Sequence, residues 1–109
     1  MPRNDLSRLR AHKENKAARA IEVFARNKPW LDKLLEHNVQ LDYPGVMMMN
    51  YSTRTHCLTI RYIGLSVQWY VHTNDMYVQN GNAPVKRTTI EPQQLHMRLL
   101  HQGRQGFVS

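Results

Sequence analysis

Apolar and polar residues alternate in three short runs between Thr55 and Gln79. Alternation of this kind is typical of strands that bury one face, because successive side chains of a strand point to opposite sides. Gly64 and the stretch Thr73–Asp75 separate the runs, and these residue types favour turns. The pattern therefore predicts a three-stranded antiparallel meander with one buried face. The residues predicted to point inward are His56, Leu58, Ile60, Tyr62, Leu65, Val67, Trp69, Val71, Met76 and Val78.

Further strands are predicted on both sides of the meander. Val46–Tyr51 follows a turn signal at Tyr43–Gly45, and Val85–Ile90 follows the loop Asn80–Pro84. Val39–Leu41 also has the composition of a short strand. The whole sheet is therefore expected to contain four or five strands.

Helical patterning covers the first third of the chain. A helix is predicted from Leu6, after a cap at Asn4-Asp5. The segment Asn27–Pro29 predicts a break, because proline lacks an amide donor yet fits the first turn of a new helix. That second helix is expected to reach about His37 and to pack Trp30 and Leu34 on the sheet.

A last helix is predicted from about Pro92 to His101, with Leu95, Leu99 and Leu100 facing inward and Gly103 as its stop. The chain beyond Gly103 is expected to be mobile.

These elements predict the α+β class, with a single antiparallel sheet and with helices N- and C-terminal to it packed on one face. The length of 109 residues fits one domain of ordinary size. We expect three parts: a basic N-terminal helix or arm at 1–28, an α+β core domain at 29–102 and a flexible tail at 103–109.

Positive charge is concentrated near the N-terminus. Lys and Arg outnumber Asp and Glu by 15 to 8, and residues 1–28, with eight basic and three acidic residues, carry +5 of the formal +7. A helical projection places Arg8, Arg19 and Arg26 on one side, opposite the apolar side. Such a pattern indicates either an arm that contacts a polyanion or a helix face that Lys and Arg keep solvated.

The second face of the predicted meander carries the other candidate site. Arg61, Tyr70 and Tyr77 lie there among Thr, Ser and Gln residues. Tyr beside Arg and amide groups can stack bases and bind phosphates, as in single-strand binders that use a sheet. The same residue types are enriched at protein interfaces, and they also suit a solvated strand face. All three interpretations stay open at the level of sequence.

The titratable residues show no spacing that specifies catalysis or metal binding. The six histidines are scattered and do not occur at the paired short spacings of zinc ligands. Cys57 directly follows His56, and strand neighbours point apart, so the two do not form a nucleophile and its base. The sequence contains no glycine-rich phosphate loop or serine elbow. We therefore predict a non-enzymatic protein with no catalytic residue, no metal and no cofactor.

The N-terminal residues lack the apolar segment of a secretory signal, and no apolar run is long enough to span a bilayer. A single cysteine fits a reducing compartment. A cytoplasmic, intracellular location without a membrane partner is expected.

The leading hypothesis is a small basic protein that binds DNA or RNA, or associates with a nucleoprotein. Its candidate contacts are Arg8, Arg19 and Arg26 for phosphates, and Arg61, Tyr70 and Tyr77 on the sheet. The alternative is a protein-binding inhibitor or modulator of a host factor, encoded by a phage or mobile element, that docks on an acidic protein surface. Exposed strand edges at Val85–Ile90 or Met47–Met49 also leave a homodimer open.

Overall fold

A computed structural model describes residues 5–108 of the protein, so the predicted cap residue Asn4 and the terminal Ser109 lie outside the described residues. In chain order the elements are α1 (Asp5–Val39), β1 (Met48–Ser52), β2 (Cys57–Tyr62), β3 (Leu65–Tyr70), β4 (Asp75–Asn80), β5 (Lys86–Thr89), α2 (Pro92–Met97), a π-helical turn (Arg98–Gln102) and a 3-10 turn (Gly103–Gly106). The strands form one antiparallel sheet in the order β1-β2-β3-β4-β5. The prediction of an α+β fold with a single antiparallel sheet is confirmed.

The core lies on one face of this sheet. Its buried strand residues are the inward set that alternation predicts, apart from His56, which falls in the turn before β2 and is only half buried. Leu31 and Leu34 of α1 join the same buried cluster as Leu95 and Leu99 near the C-terminus. Both helical segments therefore cover one face. On the second face of the sheet, called here the open face, residues 5–108 place no helix.

The break predicted at Asn27–Pro29 is wrong, because α1 continues through Pro29 as one helix of 35 residues. Proline removes only its own amide bond to the carbonyl one turn earlier. Buried side chains on both sides of it, Asn27 before and Leu31 and Leu34 after, hold the helix in one direction. Tertiary packing therefore outweighs the local cost of Pro29.

Val39–Leu41 is the end of α1 and the turn after it, not a strand. Leu41 adopts a left-handed conformation with φ of 61°, and the amide of Asp42 donates to the carbonyl of His37 at 3.1 Å. Val39 and Leu41 are among the most exposed apolar side chains. This segment has no neighbouring strand to pair with, so its β-propensity alone does not make it a strand.

The C-terminal segment is packed on the domain, unlike the mobile tail that the sequence indicated. Gly103 has φ of 55°, and a Cβ on it would lie 2.8 Å from the Pro44 carbonyl oxygen, so only glycine fits this close approach. Phe107 then lies against Tyr62, with ring centroids 6.1 Å apart. Burial of Phe107 and the neighbouring Val108 against the core supplies the contacts that fix this segment. In the described part of the chain, no helix is long and apolar enough to cross a membrane.

Candidate functional site

The first half of α1 extends away from the sheet. Every described side chain from Ser7 to Arg19 is exposed, and the first partly buried residue is Ala20. Ala, Lys, Arg and Glu dominate this stretch, and their helix propensity favours the helix without tertiary contacts. Five basic residues and one acidic residue lie between Ser7 and Arg19. The stretch 7–19, called here the arm, is therefore a solvated helix with a formal charge of +4.

The turn between β3 and β4 is hydrogen-bonded to α1 at Asn27. The side-chain nitrogen of Asn27 donates to the Val71 carbonyl oxygen at 2.9 Å and to Oδ1 of Asn74 at 2.6 Å. Asn27 is 1% exposed. Asn74 itself has φ of 65°, and its carbonyl accepts from the amide of Ile90 at 3.1 Å. One buried amide thus fixes the position of this turn relative to the helix.

A cleft of about 730 Å³ lies between α1 and this turn. Its lining residues are His12, Asn15, Lys16, Arg19, Ala20, Val23 and Arg26 from the helix and His72, Thr73 and Asn74 from the turn. Three of these side chains are cationic and none of them is acidic. The ion pairs found among the described residues involve Lys28, His37 and Arg87, all outside the lining. This surface, called here the cationic cleft, therefore holds three cationic side chains that are in none of these ion pairs.

The three arginines assigned to phosphate contacts are on this side of α1, but only two line the cleft. Arg19 and Arg26 belong to its lining. Arg8 lies about 27 Å from Arg26 along the helix axis, as expected for a rise of about 1.5 Å per residue. Its side chain is exposed near the free end of the arm.

Tyr70 and Tyr77 meet on the open face of the sheet. Their ring centroids are 5.5 Å apart and the rings are nearly perpendicular, at 83°. With Gln68, Thr73, Asp75 and Val85 they line a shallow cavity of about 300 Å³, called here the tyrosine pocket. Both rings are partly buried, so they are held in place while part of each stays accessible.

Arg61 does not join the two tyrosines. It pairs in register with Ser66, whereas Tyr70 pairs with Cys57, four residues earlier on β2. That offset is about 13 Å along a strand. The cation beside Tyr77 is Arg87, its direct partner on β5, and Arg87 lies 3.6 Å from the Asp75 carboxylate. Alternation assigns Arg61 to the correct face, but the strand register places a different arginine near the tyrosines.

Two histidines and a phenylalanine pack where the turn meets α1. The rings of His56 and His72 stack with centroids 4.1 Å apart, and Phe24 of α1 lies 4.8 Å from His72. His56 Nδ1 lies 2.9 Å from the Tyr51 hydroxyl. Burial lowers the pKa of His72, and the nearby His56 lowers it further. His72 continues the alternation of Ser66, Gln68 and Tyr70, which would place it on the open face, but it is beyond the end of β3 and lines the cationic cleft.

A buried histidine, His96, lies at the other end of α1. His96 Nδ1 is 2.9 Å from the Tyr43 hydroxyl, and the ring packs against His37 with centroids 4.9 Å apart. Burial lowers the pKa of His96, and the positive charges of His37, Lys33 and His101 lower it further.

Acidification is expected to destabilise the fold through these two histidines. Their folded pKa values are lower than in the unfolded chain, so the unfolded chain takes up protons first as the pH falls. The histidine contribution is fully present above the ordinary pKa of about 6.5. It is lost as the pH falls from there through the lowered pKa of the folded state. The thermal midpoint is therefore expected to be lower at pH 5.5 than at pH 7.5. Carboxylates stay ionised at both pH values, so they do not contribute to this difference.

Histidine substitutions locate the source of this pH dependence. His96→Asn is expected to flatten the difference between the two midpoints, whereas His12→Asn, on the exposed arm, is expected to leave it unchanged. Equal midpoints for the unaltered protein at the two pH values would contradict the assignment.

Cys57 is on the open-face side of β2 but is buried there beside Tyr70. Burial raises the pKa of its thiol, and hydrogen bonds to Thr59 and Tyr70 partly oppose this effect. Thiolate is the reactive form of cysteine, so this environment does not activate the residue. Among residues 5–108, no three His, Cys, Asp or Glu side chains come together as metal ligands.

Comparisons with protein families, with curated proteins and with solved structures give no match for this chain.

Proposed function

We propose that the protein binds nucleic acid without catalysing a reaction on it, and that the cationic cleft holds the phosphates. The observation that carries this proposal is the convergence of Lys16, Arg19 and Arg26 on a concave surface whose lining includes no carboxylate. Like charges grouped in this way repel one another, and an anion bound between them relieves that repulsion. A ligand with several regularly spaced anionic groups satisfies all three cations at once.

The length of the basic side of α1 favours a polymer over a small anion. The basic side of α1 extends for about 27 Å between Arg8 and Arg26. A DNA strand carries one charge per about 3.4 Å in the duplex, so this length corresponds to about eight phosphates. Arg19 and Arg26 present guanidinium groups, whose forked donors match phosphate oxygens better than a lysine ammonium does. The arm and the cleft are therefore suited to a phosphate backbone.

Salt dependence tests the proposal. A fluorescein-labelled oligonucleotide would be titrated with the full chain at 20 to 200 mM salt, and binding followed by anisotropy. Three to four phosphate contacts are expected to give a linear fall of log K with log salt, with a slope of about −2 to −3 for a single strand and about −3 to −4 for a duplex. No binding at 20 mM salt, or a slope near zero, would overturn the proposal.

A second function, protein binding, is favoured by a separate observation. Met47 and Ile63 are 66% and 76% exposed, and Met48 is 43% exposed. They lie together at one end of β1 and β2, where the Met47 amide donates to the Arg61 carbonyl at 2.7 Å. Exposed methionines beside an arginine are typical of contact surfaces. This corner is at the opposite end of the strands from the turn that lines the cationic cleft.

Under this second function the corner docks on a protein surface, as in an inhibitor of a host factor, or on a second copy of the chain. Because it lies away from the arm, docking there leaves Arg19 and Arg26 free. The salt titration separates the two functions. A chain that acts only through this corner shows no steep salt slope with the oligonucleotide.

A further inference from the structure

We propose that the nucleic acid is single-stranded and that one of its unpaired bases enters the tyrosine pocket while the adjoining phosphates lie in the cationic cleft. This inference rests on the proposed nucleic-acid binding and adds the kind of strand that is bound.

The two cavities adjoin at one residue. Thr73 lines both the cationic cleft and the tyrosine pocket. The turn that contains it separates the underside of α1 from the open face of the sheet. A strand that leaves the cleft across Thr73 therefore reaches the cavity that Tyr70 and Tyr77 line.

The geometry of the two rings suits a stacked base. In the perpendicular arrangement of Tyr70 and Tyr77, the contact uses the edge of one ring and one face of the other, so the pair leaves ring surface uncovered. Partial burial fixes both side chains before the ligand arrives, which lowers the entropy lost on binding. Every base has an apolar face, so stacking of this kind accepts many sequences.

The polar groups of the pocket complement the edge of a base rather than a phosphate. Gln68 offers an amide and Asp75 offers carboxylate oxygens, which accept hydrogen bonds from the amino groups of bases. Arg87, 3.6 Å from Asp75, offsets part of the negative charge that would otherwise repel the strand. A phosphate placed in the pocket would instead face the carboxylate. The phosphates are therefore assigned to the cleft and a base to the pocket.

Base pairing excludes a duplex from this arrangement. In a duplex both faces of each base are covered by its neighbours, and its Watson–Crick edge is occupied. Duplex nucleic acid can still use the cationic cleft, since phosphate contacts do not depend on base access. The tyrosine pocket is thus expected to add affinity for single strands alone.

Tyr77 substitutions test this inference with the full chain. Tyr77→Leu keeps an apolar side chain on β4 but removes the ring, and is expected to weaken binding of a labelled single-stranded oligonucleotide by about tenfold. Binding of a duplex of the same sequence is expected to change by less than about twofold. Tyr77→Phe keeps the ring and is expected to bind single strands nearly as well as the unaltered protein.

The control is Gln79→Ala, which changes an exposed residue on the same strand and face but outside the pocket. It is expected to leave both affinities unchanged. Thermal midpoints of all variants identify any loss that comes from unfolding, and Tyr77→Phe keeps the test valid if Tyr77→Leu does not fold.

Each outcome separates this inference from the proposed function. Equal weakening of single-strand and duplex binding by Tyr77→Leu, or no weakening of either, overturns the pocket assignment while the phosphate site stands. A Tyr77→Phe variant as weak as Tyr77→Leu also overturns it. If the unaltered protein binds neither ligand at low salt, the proposed function fails together with this inference.

Discussion

Changing Arg19 and Arg26 together to Glu is expected to lower the affinity for nucleic acid at least about a hundredfold near 50 mM salt, because each phosphate contact contributes about tenfold there. Both side chains line the cationic cleft. Reversal of their charge also places two carboxylates against the phosphates. Anisotropy with the labelled oligonucleotide measures the loss. Both residues are exposed, so the free energy of unfolding should change little, by about 0.5 kcal/mol or less for each substitution.

The matched control makes the same change in charge at two positions outside the cationic cleft. Arg54 lies in the turn between β1 and β2 and Lys86 lies on β5, both exposed and both outside the cleft. The double variant Arg54→Glu and Lys86→Glu has the same net charge as the cleft variant. It is expected to lose much less affinity, through the long-range field alone. Equal losses in the two double variants would show that net charge, not the cleft, governs binding.

Asn27→Leu is expected to lower the free energy of unfolding by about 2 to 3 kcal/mol, since it leaves buried acceptors without a donor. Leucine is close to asparagine in size, so little of the effect comes from a cavity. The lost bonds are those from the Asn27 amide to the Val71 carbonyl and to Asn74 Oδ1. Urea denaturation measures the change. The same substitution frees the turn that lines the cationic cleft, so nucleic-acid affinity is expected to fall as well.

Asn27→Asp tests whether the hydrogen-bond donor of the Asn27 side chain matters apart from the shape of that side chain. The carboxylate has the same outline as the amide but faces two oxygen acceptors, so its destabilisation should equal or exceed that of the leucine variant. Asn15→Leu, at an exposed position on the same helix, is the control and is expected to change stability by about 0.5 kcal/mol or less. Unchanged stability in both Asn27 variants would contradict the role assigned to this residue.

Alternation along the strands was enough to predict the sheet and the two faces of its central strands. Side-chain parity depends only on the local backbone, so Leu58, Val67 and Trp69 could be placed inside and Tyr70 and Tyr77 on the open face. Which residues of neighbouring strands lie side by side depends on the register of strand pairing. The register therefore could not be predicted from the sequence. For the same reason, the sequence did not show that Arg61 lies away from the tyrosines or that Arg87 lies close to Tyr77.

The cationic cleft was harder to predict, because it is formed by segments far apart in sequence. Arg19 and Arg26 were found from the charge pattern, but His72 and Thr73 were predicted only as strand and turn residues. Their contact with the helix depends on the continuation of α1 through Pro29, which local propensity does not favour. One sequence signal was available in Asn27, a polar residue one and two turns before the buried Leu31 and Leu34, since polar groups buried among apolar ones usually have a specific partner.

The most direct test of the cationic cleft is the slope of log K against log salt, measured for the unaltered protein and for the Arg19→Glu, Arg26→Glu double variant. If these arginines neutralise phosphates, the slope of the variant is expected to be shallower by about 1.4 to 1.8, the value for two lost contacts. Two parallel lines, with equal slopes and only an offset in affinity, would show that Arg19 and Arg26 do not contact phosphate and would contradict the central claim.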